Sequence, residues 1–186
     1  MISMEFLIPS LIVVLIPGTG VIYTISTGLF KGARLSLFAS LGCTAGVVPS
    51  LLACIFGLTA ILHMSTLVFE IIKFLGVAYL MYLAWSMWKE TGALVLESDA
   101  SKLDAWGISL KGFLINILNP KLSIFFLAFL PQFIPPQAES PLISLLVLGG
   151  IFMVMTLVVF VFYGLLANRL SYLYSEISCC NQVRST

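Results

Sequence analysis

The sequence predicts an all-α integral membrane protein with five transmembrane helices, and three observations lead to this fold class. Hydrophobic residues make up 60% of the 186 residues and charged residues 9%, whereas a soluble domain carries about 25% charge. The mean hydropathy is +1.12. The apolar residues form five runs, each long enough for a helix to cross the roughly 30 Å hydrocarbon core of a bilayer. The lipid bilayer is therefore the expected solvent of this chain.

The first run covers residues 7–30 and contains a break near its centre. Pro17 has no N–H to offer to the carbonyl of Val13, and Gly18 and Gly20 allow the backbone to leave helical geometry. The run is therefore predicted to form two half-helices instead of one continuous span.

The second and third runs contain no Pro-Gly break like that of the first, and Pro49 is a candidate for a kink in the second. The second covers residues 38–62 without a charge, and its Gly42 and Gly46 form a small-xxx-small pair that predicts close packing against another helix. The third covers residues 67–88 and ends in Tyr and Trp side chains, which favour a membrane interface.

A polar connection, residues 89–111, separates these runs from the last two. The fourth run covers residues 112–131 and the fifth residues 142–167. Residues 168–186 are more polar and are predicted to form a cytoplasmic tail. The whole chain is therefore interpreted as a single transmembrane domain.

Lys121 is the most unusual residue of the fourth run. It lies about 14 Å along a helical axis of roughly 30 Å, near the middle of the bilayer, where a lysine is unfavourable by about 3 kcal/mol. Pro120, directly before it, removes the helical partner of the Asn116 carbonyl. A charge at this depth usually faces a bundle interior or a wet cavity, so the coincidence of charge and break predicts a functional site.

The placement of Lys and Arg predicts the orientation of the chain. With the N-terminus outside and the C-terminus in the cytoplasm, seven of the nine basic residues lie on the cytoplasmic side, as the positive-inside rule requires. These seven are Lys31, Arg34, Lys89, Lys102, Lys111, Arg169 and Arg184.

The two halves of the chain also predict an internal repeat. A shift of 103 residues places Pro17 on Pro120 and the second run on the fifth. Three spans per repeat require the second copy to be inverted, an arrangement in which transporters build a midplane site from broken helices. The same shift predicts a sixth span near 170–191, which residues 168–186 are too polar to form. We therefore expect either a five-span variant with a cytoplasmic tail or a coding sequence that is truncated or shifted near its end.

Several motifs, in this order along residues 6–168, resemble the LysE/RhtB amino-acid exporter family. They are Pro17-Gly18, Gly28-x3-Gly32, the segment from Lys73 to Leu80, Gly112-Phe113, Asn119-Pro120-Lys121 and the segment from Phe129 to Phe133. The resemblance implies a bacterial inner-membrane carrier of about six spans that exports amino acids or related small metabolites in exchange for protons. This chain departs from the family's PGPN motif, because Thr19 stands for proline and Gly20 for asparagine.

The residues at the two breaks predict a site for a zwitterion. The free N–H groups of Thr19 and Gly20 at a helix start, together with the charge of Lys121, suit a carboxylate. The carbonyls of Val13 and Asn116 and the side chain of Asn119 suit an ammonium group. The predicted substrate-binding residues are Pro17, Gly18, Thr19, Gly20, Asn116, Asn119, Pro120 and Lys121.

Proton coupling has two candidate residues, Lys121 and Glu70. Lys121 can serve as a proton carrier or stay bonded to backbone carbonyls, and the sequence leaves both roles open. Glu70 lies near the start of the third span and is more readily interpreted as an ion-pair partner of Lys73, three residues away.

Other functional classes have little support. The sequence contains no paired acids, HExxH motif or nucleophile beside a base, so no enzyme is predicted, and no metal-ligand spacing links the cysteines to His63. No cofactor is expected, and a net charge of +1 does not predict nucleic-acid binding. The alternative to a carrier is a structural or regulatory membrane protein that is derived from one and no longer transports. A homo-oligomer is compatible with either function.

Overall fold

The computed structural model describes residues 4–62, 66–89, 104–134 and 140–184, and within these ranges the chain is helical without a strand. The predicted all-α class is therefore confirmed for this part of the chain. The elements are α1 (Met4–Leu15), α2 (Thr19–Lys31), α3 (Ala33–Ala45), α4 (Val48–Leu62), α5 (Thr66–Lys89), α6 (Ala105–Ile117), α7 (Pro120–Ile124), a π-helical turn (Phe125–Phe129), a 3-10 turn (Leu130–Phe133) and α8 (Pro141–Arg184).

Two helical stretches of the described chain, Ala33–Gly57 and Pro141–Leu173, are individually long and apolar enough to cross a membrane. Two bent pairs qualify if each is counted as one span: α1 with α2, bent by 53°, and α6 with the segment Pro120–Phe133, bent by 52°. Length and composition thus support two to four spans among the described residues. The count of five and the inverted repeat stay predictions.

The first predicted break is present. The helix α1 ends at Leu15 and α2 begins at Thr19. Gly18 has extended backbone angles at the N-cap position of α2, and no side chain caps this helix start. The change of direction follows from the missing N–H of Pro17, which removes one helical hydrogen bond.

The second break separates α6 from α7. Asn119 has extended backbone angles, and its Oδ1 accepts a hydrogen bond from the backbone N–H of Lys121 at 3.0 Å. Pro120 occupies the first helical position, where a missing N–H leaves no bond unmade. One expectation needs correction: the Asn116 carbonyl is not freed by Pro120, because it accepts the N–H of Asn119 at 3.1 Å in a tight final turn.

The boundaries of two segments differ from the sequence prediction. Residues 105–111 of the predicted connection 89–111 are helical, because Asp104 caps α6 and starts it one to two turns before the apolar run. The predicted tail, residues 168–186, has no break at its beginning. The helix α8 continues to Arg184, since neither Pro nor Gly interrupts it after Gly164.

Close backbone contacts hold the core together. The helix α3 packs on α6, and α2, α3 and α8 pack on one another. A Cβ built on Gly42 would overlap the carbonyl of Ser109, and one built on Gly46 would lie 2.7 Å from the Phe113 carbonyl oxygen. The close packing predicted from these two glycines is therefore confirmed, and it brings α3 and the end of α6 together.

Asp104→Ala should lower the stability of the fold by about 1 kcal/mol, the usual effect of losing an N-cap. Asp104 Oδ1 accepts the N–H of Gly107 at 2.9 Å in an exposed position, and alanine leaves this N–H to water. The measurement is thermal unfolding in detergent, with Asp104→Asn as the control that retains a capping oxygen. Equal melting temperatures for the alanine variant and the parent would contradict the capping role.

Candidate functional site

The two helix breaks meet at Lys121. Its Nζ donates a hydrogen bond to the backbone carbonyl of Ile16 at 2.9 Å, joining residues 105 positions apart. A Cβ built on Gly18 would lie 3.6 Å from this Nζ and 3.8 Å from Nδ2 of Asn119. The amine of Lys121 is therefore directed into the bundle, against the end of the first half-helix.

The Ile16 carbonyl is available because α1 ends just before it. In a continuous helix this oxygen would accept the N–H of Gly20, but the chain turns away at Pro17. The sequence prediction considered Val13, the helical partner that a proline removes, and did not identify Ile16. The signal was present in the sequence, since a break leaves the last carbonyls of a half-helix without partners as well.

Asn116 is the second polar group of the site and is 1% exposed. Its Nδ2 donates to the carbonyl of Cys43 at 2.7 Å, which fixes the orientation of the amide. Its Oδ1 is buried and has no hydrogen-bond partner among the described residues. A buried acceptor left unpaired is destabilising by about 1–3 kcal/mol, so we expect this oxygen to accept a hydrogen bond from a small polar molecule, water included, in the space next to it.

Gly20 provides the space in front of this oxygen. A Cβ at position 20 would lie 2.5 Å from Asn116 Oδ1 and 3.1 Å from a ring carbon of Phe160. The Gly20 carbonyl accepts the hydroxyl of Thr24 at 2.9 Å. Any larger residue at position 20 would therefore displace the side chains around it.

These groups surround a cavity of about 20 Å³, which is enough space for one water molecule. A larger guest therefore requires the walls to move apart. Among the lining residues in the described part of the chain, Lys121 is the single charged one, and most of the others are apolar. The lining consists of Val13, Val14, Gly18, Gly20, Val21, Asn116, Asn119, Lys121, Leu122, Phe152, Thr156 and Phe160.

Most of the predicted substrate-binding residues line this cavity. They are Gly18, Gly20, Asn116, Asn119 and Lys121. Pro17, Thr19 and Pro120 belong to the breaks and do not line it. Glu70 is exposed on α5, away from the lining. The expected ion pair with Lys73 is not formed among the described residues, and the Lys73 amine lies 5.2 Å from the ring centroid of Phe74.

Several lining residues were not identified from the sequence. Phe152, Thr156 and Phe160 lie on α8 at four-residue intervals, in a run that is apolar on all sides. A helix of this kind shows no preferred face, so only its packing identifies the side that reaches the cavity.

Residues 11–179 match the family described as LysE type translocator. The homoserine/homoserine lactone efflux protein of Salmonella typhimurium is 32% identical over 166 residues, covering 89% of this chain and 80% of the relative. The leucine efflux protein of Klebsiella pneumoniae is 24% identical over 147 residues, 78% of this chain and 69% of the relative.

A membrane protein of Vibrio cholerae is 33% identical over 136 residues, which cover 73% of this chain. The match spans 66% of the length of that relative. No solved structure matches the chain. The relatives and the apolar helices together identify a multi-pass membrane protein.

Proposed function

The chain belongs to the LysE type translocator family, and from this premise we propose that it exports amino acids or related small metabolites across the bacterial inner membrane. The names of two relatives, a homoserine/homoserine lactone and a leucine efflux protein, support this substrate class. The observation that carries the proposal is the hydrogen bond from Lys121 to Ile16, which joins two broken helices beside an unpaired buried acceptor.

A zwitterion suits the groups around the cavity. The start of α2 has a partial positive charge, and the amine of Lys121 lies within a few ångströms of Gly18, so both favour the substrate carboxylate. The substrate's ammonium group can donate to Asn116 Oδ1 and to the Ile16 carbonyl. Asn116 Oδ1 would gain the partner that it lacks, and the Ile16 carbonyl would exchange the Lys121 amine for the ammonium group of the substrate.

Transport requires the cavity to open to each side in turn. We propose that the bent pairs, α1 with α2 and α6 with the segment Pro120–Phe133, rock against each other about their breaks. The corresponding architecture has five spans with an inverted repeat and one transmembrane domain, with the N-terminus outside and the C-terminus in the cytoplasm.

Proton exchange is the proposed source of energy, with Lys121 as the proton carrier. Lys121 is the charged side chain at the cavity, whereas Glu70 is exposed on α5. A countercharge stays protonated throughout the cycle, but a proton carrier must release its proton at one step. The two roles of the amine therefore predict different behaviour for variants at this position.

The test of the function is an excretion assay in cells fed a dipeptide that raises their internal amino-acid concentration. Cells that express the parent chain should release leucine or homoserine several times faster than cells that lack it. If the parent is present in the membrane and excretion does not rise for any amino acid tried, the chain is instead a non-transporting structural or regulatory protein.

Asn119→Ala should reduce export about 10-fold, because Asn119 caps α7 next to Lys121 and its Nδ2 faces Gly18. The measurement is the initial rate of excretion, divided by the amount of protein in the membrane. Asp104→Ala is the matched control, since it removes an N-cap far from the cavity and should leave this rate unchanged. Equal loss in both variants would show that capping, and not the site, is responsible.

A further inference from the structure

The interior of the bundle differs on the two sides of the cavity. Toward the beginning of α1, aromatic rings fill the core, and Ser10 on the same helix is a single buried hydroxyl among them, without a hydrogen-bond partner in the described part of the chain. The rings contact one another at centroid distances from 4.9 Å, for Phe125 and Phe152, to 5.8 Å, for Phe125 and Phe126. This aromatic side consists of Phe6, Phe125, Phe126, Phe129, Phe133 and Phe152.

On the other side, buried hydroxyls lead from the cavity toward the end of α2. Thr24 and Thr27 follow Gly20 on one face of α2, and Ser36 and Ser40 lie on α3, which packs on α2 and α8. All four are buried. We call these four residues the hydroxyl seam. From Gly20 to the end of α2 the helical rise amounts to about 17 Å, roughly half of the bilayer core.

The seam is closed by a close crossing of α2 and α8. A Cβ built on Gly28 would overlap the carbonyl of Gly164. A Cβ built on Gly164 would lie 2.8 Å from Ser36 Oγ and 3.2 Å from Thr24 Cγ2, so side chains from α2 and α3 converge there. A small separation of α2 and α8 would therefore expose hydroxyls from two helices to the same space.

Each seam hydroxyl donates to a carbonyl of its own helix. Thr24 donates to Gly20 at 2.9 Å, and the corresponding bonds of Thr27, Ser36 and Ser40 are 2.8 to 2.9 Å long. These carbonyls lie within the helices, so a hydroxyl can turn to another partner while the backbone bond is retained. A hydroxyl both donates and accepts, which suits a carboxylate as well as an ammonium group.

Close packing alone would need only the volume of these side chains, which alanine nearly provides for the two serines and valine for the two threonines. A second observation points to a polar guest: the unpaired Oδ1 of Asn116, buried at the end of the seam where Gly20 lines the cavity. We propose that the hydroxyl seam is the path by which a zwitterionic solute passes between the cavity and the Lys31 end of the bundle. This inference rests on the proposed function and identifies the residues that line the half of the path on the Lys31 side.

The first test is labelling of single cysteines by a membrane-impermeant thiol reagent. Thr24→Cys and Ser36→Cys are introduced into the full-length chain after its four native cysteines have been replaced by alanine. Arg34→Cys, exposed at the beginning of α3, identifies the side of the vesicle that corresponds to the Lys31 end. Leu37→Cys, exposed on α3, is the control for a side chain that faces lipid.

Both seam cysteines should be labelled from the Arg34 side, at least about 10 times faster than Leu37→Cys, since a thiol reacts as the thiolate and requires water. Labelling no faster than in the Leu37 control, in vesicles that export amino acid, would overturn the inference. Failure of the proposed function would appear differently, as absent export by the parent itself.

A second measurement uses the native cysteine background. Thr24→Val keeps the volume of the side chain and removes its hydroxyl, so export should fall about 5-fold at unchanged membrane abundance, while Thr24→Ser should stay close to the parent. If Thr24→Val exports as fast as the parent, Thr24 has a packing role only and the inference is wrong, even if Thr24→Cys is labelled.

Discussion

Lys121→Met should reduce export about 100-fold while the protein remains in the membrane. Methionine has a similar length and fits an apolar wall, but it removes the charge and the hydrogen bond to the Ile16 carbonyl. A hydrogen bond to a charged group contributes about 1.5–3 kcal/mol, and losing the countercharge of a carboxylate adds to this effect. The measurement is the initial rate of excretion from dipeptide-fed cells, normalised to membrane abundance.

Lys121→Arg distinguishes the two roles of the amine. Arginine retains the positive charge but does not release its proton in proteins. A countercharge role therefore predicts substantial export by this variant, whereas a proton-carrier role predicts loss of export driven by a pH gradient. If Lys121→Met exported at the rate of the parent, Lys121 would have neither of these two roles in transport.

Gly42→Val should lower the stability of the fold by about 3 kcal/mol and its melting temperature in detergent by roughly 10 °C. The atom that a new Cβ meets is the backbone carbonyl of Ser109, which has no rotamer to change, so α3 and α6 must separate. The same crossing holds the Asn116 side chain against the Cys43 carbonyl, so export should fall together with stability. The measurements are thermal unfolding and the amount of folded protein in the membrane.

Gly150→Ala is the control for adding a side chain to a helical glycine that has open space in front of it. Gly150 is also helical, but a Cβ built on it meets no heavy atom within 4 Å. Alanine is the better helix former by about 1 kcal/mol, so this variant should be as stable as the parent or slightly more stable. If Gly42→Val and Gly150→Ala unfolded at the same temperature, the close backbone contact between α3 and α6 would not stabilise the fold, and the prediction would be wrong.

Local features of the sequence were sufficient to predict the helical class and both breaks. Proline removes a donor wherever it occurs, and a glycine in a membrane helix allows close approach, so Pro17, Pro120 and Gly42 could be interpreted without knowing their neighbours. The limits of α6 and α8 were less predictable. A cap at Asp104 extends α6 into the polar connection, and α8 continues through Arg169 because charge by itself does not end a helix.

The two interruptions and the charge within the fourth apolar run were determined by the sequence alone, because a missing N–H and a charged side chain act at the residue where they occur. Only the tertiary structure decided that the amine bonds to Ile16, that Asn116 keeps an unpaired oxygen and that buried hydroxyls extend from the cavity toward the end of α2. These features join residues from helices distant in the chain, 105 positions apart for Lys121 and Ile16. Their contacts depend on where the helices cross, which no local pattern specifies.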